Sequence, residues 1–108
     1  MSTPLQVRLH ARDSSIFVDG IYLIRGVAGA LLWKMLNDHV HAGRSDFCYR
    51  ELRLAPALRL PEAVDNLAAR LVLLQRRLAD QCVHLRLEKV ARGLVRLHVS
   101  RPVDLGEI

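Results

Sequence analysis

The chain is poor in the residues that build chemistry or cross-links. Its 108 residues include two cysteines, Cys48 and Cys82. A disulfide framework would show more of them at tighter spacing. They read as reduced thiols packed in the core of a cytoplasmic protein. Aromatics make up only 5%, and the four prolines and six glycines form no linker or low-complexity tract. No apolar run approaches the roughly 20 residues of a membrane span, so no membrane partner is expected. Met1-Ser2-Thr3-Pro4 has neither the basic nor the apolar region of a secretion signal. No nucleophile elbow, phosphate-binding loop or glycine-rich dinucleotide fingerprint appears, so neither catalysis nor a cofactor is expected. Of five histidines, His39 and His41 stand two apart and share no helix face, while His10, His84 and His98 are scattered over expected strands. A zinc site needs three or four convergent ligands, and none is foreseen.

What the chain has is leucine and arginine. It is 51% hydrophobic and 25% charged, with a formal net charge of +5. That composition specifies one small globular domain over 1–108, with a core from about 5 to 99 and a frayed tail over 100–108. The charge is uneven. Residues 70–101 hold eight basic and two acidic residues, residues 1–69 eight and seven, and the last seven residues two acidic ones. A basic excess confined to one segment is the footprint of a phosphate-binding face, or else a solvated basic surface.

Leu5, Val7 and Leu9 alternate with polar residues, which is strand periodicity. Asp13-Ser14-Ser15 is a turn cluster, and Asp19-Gly20 joins Ile16-Phe17-Val18 to Ile21-Tyr22-Leu23-Ile24 as a hairpin. The first 24 residues therefore predict a small antiparallel sheet. Val27, Ala28, Leu31, Leu32, Met35 and Leu36 recur at helical spacing, predicting a first helix from Val27 to about His41 that ends at Gly43 in a left-handed cap. Trp33 and Gly29 fall opposite that stripe. The helix should be buried on two sides, with Trp33 against the N-terminal strands and Gly29 permitting close approach. Ser45 to Tyr49 is an extended segment or a helix entry, and Tyr49 to Leu54 a short helix or strand.

Leu60 to Leu97 is the most informative stretch. Pro61 opens a long helix over about 61–81, with Glu62 and Asp65 near its positive end. It buries Val64, Leu67, Ala68, Leu71, Leu74 and Leu78, and turns Asn66, Ala69, Leu73, Arg76 and Arg77 outward. A ribbon over about 83–99 follows, turning at Gly93. A helix with a ribbon behind it is how a winged helix-turn-helix meets duplex DNA. On that reading Arg70 and Asn66 suit bases, arginine pairing with guanine and asparagine with adenine. Arg76 and Arg77, late in the helix, suit phosphates, and Lys89, Arg92 and Arg96 around the ribbon turn reach phosphates or the minor groove. Glu62 and Asp65 oppose the reading, because carboxylates repel phosphates. Leu73 points away from the core. It could touch a thymine methyl or, with Val72, form the contact of a homodimer or of a protein partner.

The order sheet, helix, short element, long helix and hairpin resembles the OmpR/PhoB-type winged-helix effector domain of bacterial response regulators. Val18-Asp19-Gly20, Leu31-Leu32, Gly43-Arg44, Glu51-Leu52, Leu71 to Leu78 and Val90 to Leu97 carry the resemblance, which spans roughly Leu5 to Val99. The resemblance implies an α+β winged helix acting as a DNA-binding transcription regulator, with its third helix in the major groove and its hairpin wing on the backbone. Arg25 and Ala28 stand where that family usually has threonine and glutamate, and the turn holds one glycine and no tyrosine. The alternative on the same fold is a protein-interaction module that has lost DNA contacts.

Overall fold

Alternation decides the first element. Leu5, Val7 and Leu9 face the core along β1 (Leu5–His10) while Gln6 and His10 face solvent, as a half-buried strand requires. The computed structural model describes residues 3–54 and 67–108. β2 (Ser15–Val18) and β3 (Ile21–Ile24) follow, each antiparallel to its predecessor. Asp19 and Gly20 between them both have positive φ, 51° and 83°, the mirror-image turn whose twist matches that of paired strands. The antiparallel start expected from the period-2 pattern is present.

Residues 100–108 correct the expectation of a frayed tail. β7 (Val103–Glu107) lies parallel to β1, with Leu5 opposite Val103 and Leu9 opposite Glu107. The sheet order is β3-β2-β1-β7. Val103 and Leu105 pack on the core. Arg8 grips the strand, its guanidinium 3.1 Å from the Asp104 carboxylate and 2.8 Å from the Asp104 carbonyl. The core thus extends past residue 99 to the C-terminal strand.

α1 (Gly26–Ala42) buries Ala28, Leu31, Leu32, Met35 and Leu36. Gly43 caps it at φ 68°; its N–H donates to the His39 carbonyl at 3.0 Å, and the Arg44 N–H to that of Asp38 at 3.2 Å. Gly29 is where α1 meets the first sheet. A Cβ there would stand 2.0 Å from the Ser14 carbonyl oxygen, so only glycine fits. Trp33 is partly buried and packs against the core.

A second, fully antiparallel sheet holds β4 (Asp46–Cys48), β5 (Leu85–Ala91) and β6 (Leu94–Val99) in the order β4-β6-β5. Residues 49–54 resolve as a helix, α2 (Tyr49–Leu54), with Leu52 turned inward. α3 (Leu67–Gln81) buries Leu67, Leu71, Leu74 and Leu78. Ala68, expected inside, is exposed, because it sits about 100° around the helix from Leu67. The expected first turn of this helix, with Glu62, Val64, Asp65 and Asn66, lies outside the described residues. Cys82 is buried as expected, but Cys48 is exposed: the two-residue period of β4 buries Phe47 and turns Cys48 out. α1 packs on β2 and on α3, and α3 packs on β5 and β3, so one continuous core joins both sheets. The architecture is mixed α+β, with two sheets and three helices among the described residues. None of these helices is long and apolar enough to cross a membrane.

Candidate nucleic-acid interface

The leucines of α3 set the directions of everything else on it. With Leu67, Leu71, Leu74 and Leu78 inward, Ala69, Leu73 and Arg76 fall on the far side, facing solvent. Leu73 is 45% exposed and Val72 is 44% exposed. The two flanks differ. Ala68, Val72 and Gln75 line a narrow cleft shared with Tyr49, Leu87, Lys89 and Val95, so this flank faces the hairpin. Arg70 and Arg77 are seven residues apart and lie together on the other flank, away from the hairpin.

The hairpin is divided in the same way by its two-residue period. Leu85, Leu87 and Lys89 share the face of β5 that meets α3, and Val95 and Leu97 complete that face from β6. Arg86, Glu88, Arg96 and His98 share the opposite face. Lys89 and Arg96, both expected to reach phosphates or the minor groove, therefore stand on opposite faces of one sheet. Arg96 is also engaged. Its Nε donates to Asp46 Oδ1 at 2.7 Å, across the β4–β6 pair. That hydrogen bond holds the Asp46 carboxyl below its ordinary value and raises the Arg96 guanidinium. Next to it, Glu88 accepts from or faces His98 Nε2 at 2.7 Å, and the contact lowers the Glu88 carboxyl. Arg92 sits at the open tip beside Gly93, whose φ is 72°.

The tip is tied to α2. The Tyr49 N–H donates to the Gly93 carbonyl at 2.9 Å, so α2 begins at the hairpin turn and Arg50 follows there. Arg50 and Arg53 are exposed on α2. Neither was singled out from the sequence. Their i, i+3 spacing around inward Leu52 marks one outer face, but only once the segment is known to be a helix. Beneath them Arg44 organises the chain. It forms a bidentate pair with Glu51, with 2.6 Å from Nη2 to Oε1, reaches Asp38 at 3.4 Å, and lies 4.8 Å over the Phe47 ring. Hydrogen bonding to Arg44 lowers the Glu51 carboxyl. The Gly43-Arg44 and Glu51-Leu52 pairs quoted for the family resemblance thus meet in one knot joining α1, β4 and α2.

Acids in this half of the molecule are largely consumed internally. Asp38, Asp46, Glu51 and Glu88 all have basic partners. Arg50, Arg53, Arg70, Arg76, Arg77, Arg86, Lys89 and Arg92 form no ion pair among the described residues. Asn66, the remaining candidate base reader, lies outside them. No cluster of three or more metal-ligating side chains occurs among the described residues. Comparison of the chain with protein-family models, curated proteins and solved structures finds no match.

Proposed function

We propose that this is a winged-helix-type module that binds duplex DNA, α3 lying along the major groove. The observation carrying this reading is the set of cations on α2, α3 and the hairpin that form no ion pair among the described residues, set against Asp46, Glu51 and Glu88, which are paired; Asp80, exposed on α3, opposes it. A helix in a groove about 12 Å wide has a phosphate backbone on each side. Arg77 on one flank of α3, and Lys89 with Arg92 from the hairpin beyond the other, suit the two backbones. Ala69 and Leu73 on the outward stripe leave room for bases and an apolar contact for thymine methyls. Arg70 and Asn66 keep the base-reading roles proposed from the sequence. Arg96 is assigned to the fold, through Asp46, and not to the interface.

Duplex retention measured across a salt series tests this. Each neutralised phosphate contributes about 0.9 to the slope of log affinity against log salt. Lys89→Gln or Arg92→Gln should flatten that slope by about one unit each and weaken all sequences alike. Arg96→Gln should leave it unchanged. Arg70→Ala should relax preference at one base position, at a cost of about 1–3 kcal/mol. Absence of retention at low salt, even with a randomised duplex pool, refutes the reading.

One observation favours a second reading. Val72 and Leu73 are adjacent, apolar and exposed on the outer side of α3. A protein partner, or a second copy, that buries them would make this a winged-helix interaction module. Leu73→Lys separates the two readings: it should abolish partner capture under the second, and leave the salt slope intact or steeper under the first.

A further inference from the structure

The two-residue period that turns Leu85, Leu87, Val95 and Leu97 toward α3 turns a polar set the other way at the root of the hairpin. Arg86 stands opposite His98 in the β5–β6 register. One step further from the tip, the Ser100 N–H donates to the His84 carbonyl at 3.0 Å. His84 therefore stands opposite Ser100, on the same side of the sheet, and its Nδ1 lies 3.1 Å from Ser100 Oγ. These four side chains line one groove, walled by Val83 and Val99. Arg86 is exposed and forms no ion pair among the described residues. The remaining ionisable groups of this face are Glu88, Arg96, Asp46 and Cys48. Glu88 faces His98 Nε2 at 2.7 Å, Arg96 donates to Asp46 at 2.7 Å, and Cys48 lies toward the tip, opposite Leu94. A carboxylate only accepts, so Nε2 of His98 carries a proton and Nδ1 is left for another partner.

We infer that this groove binds a single phosphate group of a small molecule. The donor set suits it. The Arg86 guanidinium presents a fork of N–H groups that matches two oxygens of a tetrahedral anion. The rings of His84 and His98 and the Ser100 hydroxyl stand around it as further donors. The two facing pairs are two residues apart along the ribbon, about 7 Å. That span takes one phosphate with a hydrogen bond of about 2.8 Å on either side. Position separates the site from the proposed duplex contacts. It lies on the face turned away from α3, and Arg86 comes six residues before Arg92, about 20 Å from the tip. A duplex seated on α3 leaves it in solvent, so the inference does not rest on the DNA reading. Charge sets when the groove is competent. With both rings neutral, Arg86 and Arg96 balance Glu88 and Asp46; with both protonated, the face gains two positive charges. Histidine makes that change between about pH 8 and pH 5, so anion affinity rises as pH falls.

Proton–nitrogen NMR of the full chain, titrated with sulfate at constant ionic strength, tests this. Sulfate is a tetrahedral dianion whose charge stays fixed over that pH range. At about pH 5.5 the shifts should saturate at millimolar sulfate and centre on His84, Arg86, His98 and Ser100, and at about pH 8 the affinity should be about tenfold weaker. Phenyl phosphate, a small phosphate ester, should displace sulfate from the same residues. Arg86→Gln, at an exposed site outside the core, should weaken binding about tenfold at both pH values. His84→Gln combined with His98→Gln should remove the pH dependence. Lys89→Gln and Arg92→Gln should leave sulfate binding unchanged. Shifts spread over all exposed arginines, an affinity indifferent to pH, or undiminished binding by Arg86→Gln overturns the inference. So does duplex DNA that displaces sulfate from these residues and loses salt slope in Arg86→Gln, which gives the groove to the nucleic-acid backbone. Failure here leaves the salt slopes of Lys89→Gln and Arg92→Gln as a separate test of duplex binding.

Discussion

Gly29→Ala sets two physical effects against each other. Gly29 lies inside α1, where replacing glycine with alanine ordinarily stabilises a helix by about 1 kcal/mol. Here the added Cβ would stand 2.0 Å from the Ser14 carbonyl oxygen and 3.5 Å from that of Ile24. A carbon–oxygen contact of about 3.3 Å is comfortable, so the first contact must open by more than 1 Å. The obstructing atom cannot swing aside as a side chain would. It is backbone, in a residue already held at φ 58°, and the neighbouring Asp13 carbonyl is bonded to the Gly26 N–H at 2.9 Å. Overpacking of this kind costs about 1–3 kcal/mol, and a rigid obstacle argues for the upper end. After the gain in propensity, a net loss of about 2 kcal/mol remains. Urea unfolding followed by circular dichroism measures it. With a slope of about 2 kcal/mol per molar urea, the midpoint should fall by about 1 M. An unchanged or raised midpoint would show that α1 does not approach the first sheet as described, and the packing of the N-terminal half would need rebuilding.

The two stripes of α3 should respond differently to truncation. Leu74→Ala, at a fully buried position, should cost about 2–5 kcal/mol, whereas Leu73→Ala should stay within about 0.5 kcal/mol; equal costs would place the helix in the wrong rotation. Cys48 should react with a thiol reagent in the folded protein while Cys82 reacts only on unfolding, counted by mass spectrometry; simultaneous labelling would contradict the inward Phe47 of β4. The carboxyls of Asp46, Glu51 and Glu88 are lowered by Arg96, Arg44 and His98 respectively, so each contributes stability above its ordinary value that is lost as pH falls through its lowered one. Glu51→Gln should therefore be less stable than the parent at neutral pH, and the gap should close as pH drops below the ordinary glutamate value of 4.5; a gap constant with pH would exclude the Arg44 pairing as its cause.

Local rules reached the elements whose causes are local. Asp19-Gly20 specified a two-residue turn because both positions need positive φ, and the first three strands followed from it. Gly43 ended α1 for a similar reason. The leucines at 67, 71, 74 and 78 set the inward face of α3, and therefore the exposure of Val72 and Leu73, because a helical period leaves no other choice. The cations on α3 were legible for the same reason. The tertiary structure decided whatever depends on partners distant in sequence. β7 reads as a tail until β1 is beside it, since a parallel pairing across almost the whole chain has no turn to announce it. Arg96 looks like a free cation until β4 brings Asp46, 50 residues away, against it. Arg50 looks unremarkable until the Tyr49 N–H finds the Gly93 carbonyl and sets α2 at the hairpin tip. Periodicity tells which way a side chain points, because that is a property of one element. Which charges remain free depends on which elements meet, and that is settled only when the core closes.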